Sequence, residues 1–188
     1  MNTTTSFEAG TLAGAGSFRC ESCGFAVALH ERDEVPSCPS CAKRSFRRSL
    51  FFADSASASP PPRTALEPPE WVDEARKALV RAGDYLAVDD DERVRVVPLG
   101  RGWTRIGRSL SAQLRLDDPT VSRRHALVYV DEDEAKLLDD RSLNGVFLNG
   151  DRIELSELND GDTISVGRFT VHFMQLADDR AQSVSEAR

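Results

Sequence analysis

The sequence predicts a mainly β chain: a β-sandwich preceded by a small cysteine-rich unit and a flexible Pro-rich linker. Three observations carry this. All four cysteines lie in the first quarter, five prolines fall between residues 53 and 70, and beyond residue 85 short apolar or alternating runs recur between turn residues. At 188 residues the chain has room for one ordinary domain or two small ones, which excludes a large multidomain enzyme. With 24 Lys plus Arg against 31 Asp plus Glu, the net charge of -7 opposes the broad basic surface by which proteins neutralise nucleic-acid phosphates. Nothing approaches the roughly 20 apolar residues that cross a bilayer, and Glu8 with no basic start opposes a secretory leader, so the expected location is cytoplasmic with no membrane contact.

The elements follow in order. Residues 1–17 are Thr, Ser, Gly and Ala with little to bury, and read as a flexible lead-in. Residues 18–52 hold the cysteines. Residues 53–70, ADSASASPPPRTALEPPE, lack core material and backbone donors and read as a disordered tether. In 71–84, Trp71, Val72, Ala75, Leu79 and Val80 recur at helical spacing, with Gly83 as a stop. Residues 85–176 carry the runs Val94 to Leu99, Trp103 to Ile106, Leu114 to Leu116, Ala126 to Val130, Ala135 to Leu138, Val146 to Leu148, Thr163 to Val166 and Phe169 to Phe173, the pattern of a sandwich. Residues 177–188 are polar and read as a flexible tail.

Cys20-x2-Cys23 and Cys38-x2-Cys41 are separated by fourteen residues. Two such pairs supply the four thiolates of a closed tetrahedral site, and a unit this small needs a metal to offset its missing core. Gly24 allows the tight reversal that turns amides toward sulfur. Two disulfides would need an oxidising compartment, and a redox pair would need one CxxC beside a βαβ unit. One structural Zn²⁺ is therefore expected, although the same thiolates suit an iron–sulfur centre. The spacing resembles a zinc ribbon over residues 18–50. His30, between the pairs, reads as a surface residue. Downstream, Lys43, Arg44, Arg47 and Arg48 interleave with Phe46, Phe51 and Phe52, a mixture that can hold nucleic acid by phosphate contact and stacking. The plainer reading gives the rings to the ribbon core and the cations to the thiolate charge.

Between the later strands lie TRIGRS (104–109), DDPTVSRRHA (117–126), DDRSLNGVFLNG (139–150) and LNDGDTISVG (158–167). This ordered set resembles a forkhead-associated (FHA) domain over residues 85–174, which implies an eleven-stranded β-sandwich that recognises phosphothreonine. Arg108 offers a planar fork suited to phosphate oxygens, and the resemblance makes it a direct ligand. It likewise matches Ser122 to a phosphate-binding serine, Arg123 to a second contact and Asn144 to the asparagine that holds the peptide backbone. Gly107, Gly145 and His125 are expected to scaffold the loops, His125 by internal hydrogen bonds and not by proton transfer with Ser122. Gly150 is expected to shape a loop and Asn149 to form a turn. One departure is Leu143, where many relatives carry threonine; the lost phosphate contact is of the order of 1 kcal/mol, and Ser142 stands one position earlier to compensate.

His172, in FTVHFM, reads as a strand-surface residue. The acidic clusters Asp89 to Glu92 and Asp131 to Glu134 read as solvated hairpin turns, without the convergence of a catalytic pair. The expected function is a non-catalytic adaptor that binds a phosphothreonine protein in a serine/threonine kinase pathway, the ribbon making a second interaction. The alternative is a nucleic-acid-associated regulator working through the basic ribbon; a third reading is a sandwich that binds an unphosphorylated partner. Thr3, Thr4 and Thr5 on the lead-in raise self-recognition of a phosphorylated tail.

Overall fold

The computed structural model describes residues 6–49, 68–90, 93–132 and 134–177. Strands β1 (Ser6–Glu8), β2 (Gly16–Cys20), β3 (Ala26–Leu29) and β4 (Ser45–Ser49) form one antiparallel sheet in the order β1-β4-β2-β3. The lead-in expected over 1–17 is thus, from Ser6 onward, part of the ribbon. Phe7 packs edge-on against Phe18, with ring centres 5.2 Å apart, which anchors this polar stretch to the ribbon core. Phe18, Phe25, Val27, Leu29, Val35 and Phe46 make the ribbon's core.

Helix α1 (Glu70–Ala78) follows Pro69, so the tether expected to run to residue 70 gives up its last residue. The helix is also shorter than the expected 71–84. Leu79 is already extended and Gly83 opens β5 (Gly83–Asp89). That strand reads as a continuous apolar run because both its faces are covered: Leu86 and Val88 enter the sandwich core, while Tyr85 and Ala87 meet Val72 of α1. Arg76 of the helix forms a bidentate pair with Asp160 at 2.7 and 3.1 Å. Residues 53–67 of the tether lie outside the described residues, as do Thr3, Thr4, Thr5 and residues 178–188 of the tail.

The remaining strands are β6 (Val94–Leu99), β7 (Gly102–Gly107), β8 (Leu114–Arg115), β9 (Ala126–Val130), β10 (Ala135–Asp139), β11 (Val146–Leu148), β12 (Asp151–Ile153), β13 (Leu155–Glu157), β14 (Thr163–Val166) and β15 (Phe169–Leu176). They build two sheets, ordered β13-β10-β9-β7-β8 and β12-β11-β14-β15-β5-β6. The inward residues of both, among them Ile106, Leu114, Val128, Leu137, Ile164 and Phe173, form one core. His172 is not on the sheet surface as expected. It faces the helix side and is buried, its ring edge-on to Trp71 at 5.3 Å. No helix among the described residues is long and apolar enough to cross a membrane.

Candidate functional site

Three loops meet at one end of the sandwich, following β7, β8 and β10. Arg108 follows the last residue of β7, and its amide donates to the Ser122 carbonyl at 3.0 Å, while Ser109 donates to the Arg123 carbonyl at 3.2 Å. This close approach needs Gly107. A Cβ there would lie 2.5 Å from the Arg123 carbonyl oxygen. Ser122 joins the second loop to the third: its Oγ accepts from the Leu143 amide at 3.0 Å. Asp118 pins the second loop by accepting from Thr120, and Arg168 reaches the other Asp118 oxygen at 2.7 Å.

His125 is wholly buried beneath these loops. Its Nδ1 accepts from the Ser122 amide at 3.0 Å, which leaves the proton on Nε2 to face the Gly145 carbonyl at 3.3 Å. Burial lowers its pKa to about 4, so it is neutral at pH 7. The imidazole engages the backbone of Ser122 and not its hydroxyl, so the two do not form a nucleophile and base. Gly145, at φ +88°, turns the third loop beneath Asn144.

Arg108 is almost fully buried, with its Nη1 3.6 Å from the Asp33 carboxylate, and its Nε has no hydrogen-bond partner among the described residues. Burial lowers its pKa, opposed by Asp33, Asp117 and Asp118. Arg123 is exposed. Asn144 is buried, and its side-chain amide is fully used: Oδ1 accepts from the Ala26 amide at 2.7 Å, and Nδ2 donates to the Ala26 carbonyl at 2.7 Å and to the Thr120 carbonyl at 3.3 Å. The Ser142 hydroxyl, raised as a substitute for the missing threonine, is buried without a partner among the described residues, and its amide donates to Asp139.

Sequence reasoning missed Ala26 and Asp33, both from the ribbon. Asp33 sits in HERDEV, which reads only as a polar loop, and Ala26 contributes main-chain atoms that no side-chain pattern marks.

The cysteine set is brought together. All four sulfurs lie within 4.8 Å of one another, with Cys20 and Cys41 3.6 Å apart and Cys23 and Cys38 3.5 Å apart. A tetrahedron of 2.3 Å metal–sulfur bonds has edges of about 3.8 Å, so the donors fit a thiolate-bound metal ion. Both knuckles fold alike. Gly24 donates to the Cys20 carbonyl and Ala42 to the Cys38 carbonyl, at 2.9 and 2.8 Å, and both residues have positive φ. An amide contact at Lys43 lowers the Cys41 thiol to about 7, whereas burial raises Cys38 and Cys23. Two of the adjoining cations are used internally: Arg44 donates to the Ala9 carbonyl, and Arg48 donates to the Ala13 and Ala15 carbonyls while lying over the Phe18 ring.

Comparison with known proteins agrees with this division. Residues 104–167 match the FHA domain family, and residues 1–50 match a zinc-ribbon containing domain. The glycogen accumulation regulator GarA of Mycobacterium tuberculosis is 36% identical over 76 residues, 40% of this chain and 47% of GarA. An oxoglutarate dehydrogenase inhibitor of Corynebacterium glutamicum is 38% identical over 76 residues, 40% of this chain and 53% of the inhibitor. The match spans about half the length of these curated relatives. Among solved structures, one from a study of phosphothreonine-dependent FHA domain interactions is 35% identical, with a TM-score of 0.49 over 50% of this chain and 98% of that one. Mycobacterium tuberculosis EmbR in complex with a low-affinity phosphopeptide is 30% identical, with a TM-score of 0.48 over 57% of this chain and 29% of that one. FHA domains are non-catalytic binding modules. The chain carries an FHA domain joined to an N-terminal cysteine-rich, zinc-ribbon-like module.

Proposed function

We propose that the protein is a phosphothreonine-peptide-binding adaptor in a serine/threonine kinase pathway, built on an eleven-stranded FHA sandwich and a ribbon that holds one structural Zn²⁺. The observation that carries this reading is Arg108: a buried arginine in the first of three converging loops, with Nε lacking a hydrogen-bond partner among the described residues and the Asp33 carboxylate 3.6 Å from Nη1. A buried cation so poorly paired is costly unless a stronger anion completes it, and phosphate brings nearly two charges and three acceptor oxygens. Ser122 and the exposed Arg123 lie on the loop whose carbonyls accept from the Arg108 and Ser109 amides, and the Asn144 side chain pairs a donor and an acceptor suited to the amide and carbonyl of one residue of an extended chain. Relatives bearing on this are the FHA structures described as phosphothreonine-dependent and phosphopeptide-bound. A phosphorylated Thr3, Thr4 or Thr5 of the chain's own tail is one partner within this reading.

Zinc in the cysteine set would leave no open coordination position, so its contribution is to fold the ribbon. The test is calorimetric titration of the metal-loaded full chain with phosphothreonine peptides and their unphosphorylated counterparts. Phosphate-dependent binding lost in Arg108→Ala is expected; equal binding of both peptide forms would overturn the reading.

A further inference from the structure

The strand that Asn144 holds belongs to the protein itself. β3 is one of the two outer strands of the ribbon sheet, and its outward main-chain groups would otherwise face solvent. They do not. Asn144 grips both the amide and the carbonyl of Ala26, and the Ala28 amide donates to the Pro119 carbonyl at 2.8 Å. Farther along the same segment, the Asp33 carboxylate faces Arg108. Phe25 and Pro39 of the ribbon and Gly167 and Phe169 of the sandwich line a cavity of about 90 Å³ between the two units.

We propose that the ribbon is an intramolecular pseudo-ligand of this site, with the outer edge of β3 taking the place of the peptide backbone and Asp33 taking the place of the phosphate. The proposal rests on the site being a phosphothreonine receptor. Three features favour it. Recognition of β3 is through main-chain groups at alternate residues, the mode in which a receptor takes up an extended peptide. Among the described residues, the acidic group within ion-pair distance of the guanidinium, Asp33, comes from the segment that supplies the strand. The pairing is also poor where phosphate would improve it: 3.6 Å is long for a charge-assisted contact, and a carboxylate brings one charge and two oxygens.

The consequence is competition within one chain. A tethered occupant acts at high effective concentration, and a peptide binds only to the fraction of molecules whose site is open. Eighteen residues join Ser49 to Pro68, a contour of up to about 60 Å, so the chain is long enough to let the ribbon leave. The device would raise the threshold of the reader: weakly matched phosphopeptides fail to displace β3, and strongly matched ones succeed and expose that strand.

The test is titration of the metal-loaded full chain, Ala28→Pro and Asp33→Asn with one probe, a phosphothreonine nonapeptide pool with randomised flanks. Proline at 28 deletes an amide given to Pro119 and not to β2, so the ribbon ladder is kept. Asparagine at 33 keeps an oxygen for the His30 amide, which Asp33 accepts at 2.8 Å. Metal content reports whether each ribbon is folded. Both variants, with metal retained, are expected to bind at least about tenfold tighter than wild type, as a largely closed site requires. Adding Arg108→Ala should abolish the binding. Equal phosphate-dependent affinity in all three chains overturns the pseudo-ligand and leaves the receptor reading standing. A gain confined to an Ala28→Pro chain that has lost its metal, with Asp33→Asn like wild type, also overturns it. Absence of phosphate-dependent binding in every chain overturns both.

Discussion

Arg108 shows how one side chain can be legible in type and illegible in circumstance. Its place after Gly107 and its match to a phosphate ligand are visible in TRIGRS, but its burial against Asp33 is not, because the covering residue lies 75 positions earlier. Charge alone does not define its role. A planar fork suits two phosphate oxygens and an ammonium does not, so Arg108→Lys should lose roughly tenfold or more in phosphopeptide affinity by titration, despite its retained charge. For His125 the bracing role came from the family resemblance and not from SRRH alone, and its tautomer follows from its two backbone partners. Its folded pKa of about 4 lies below the unfolded value of 6.5, so the unfolded chain takes up the proton first as pH falls. This contribution to stability is fully present above about pH 6.5 and is lost progressively down to about pH 4. The total is on the order of 3 kcal/mol. Nitrogen NMR of the imidazole should show the neutral Nε2–H form persisting well below pH 6; a protonated ring at pH 6 in the folded protein would contradict this.

Elements with a period were legible and elements held by neighbours were not. β9, with pattern ALVYV, and β14, with TISV, alternate inward and outward, and a half-buried strand can be read from that alone. β12 and β13 carry DRI and LSE, too short and polar to show a period, and exist by pairing with β11 and β10. β1 depends likewise on β4, and Phe7 is its only apolar residue. His172 misled because α1 covers a sheet face that would otherwise meet water. The knuckles give an element-scale prediction. Both need a residue of positive φ after the second cysteine; Gly24 supplies it freely, whereas Ala42, at φ 57°, bears a steric cost. Ala42→Gly should stabilise the ribbon by about 0.5 to 1 kcal/mol, measured by denaturation or by slower metal release. Gly107→Ala should act oppositely: the added Cβ meets the rigid Arg123 carbonyl, so lowered stability and a displaced Arg108 loop are expected.

At the scale of the whole molecule, the two units were separable in the sequence and their relation was not. The docking is carried by the main chain of Ala26 and Ala28, which no composition records. If the ribbon needs its metal to fold, stripping that metal should release the sandwich site. A strong chelator should therefore free one equivalent of zinc per chain and raise phosphopeptide affinity together, and colorimetric metal release run alongside titration checks the coupling.

The most direct measurement is amide hydrogen exchange at Ala26 and Ala28 in the full metal-loaded chain, with and without a saturating phosphothreonine peptide. Both amides lie on an outer strand edge, so only the loops of the sandwich can protect them. Slow exchange in the free protein that becomes fast when peptide binds is the predicted result; fast exchange in the free protein, or protection unchanged by bound peptide, would contradict it.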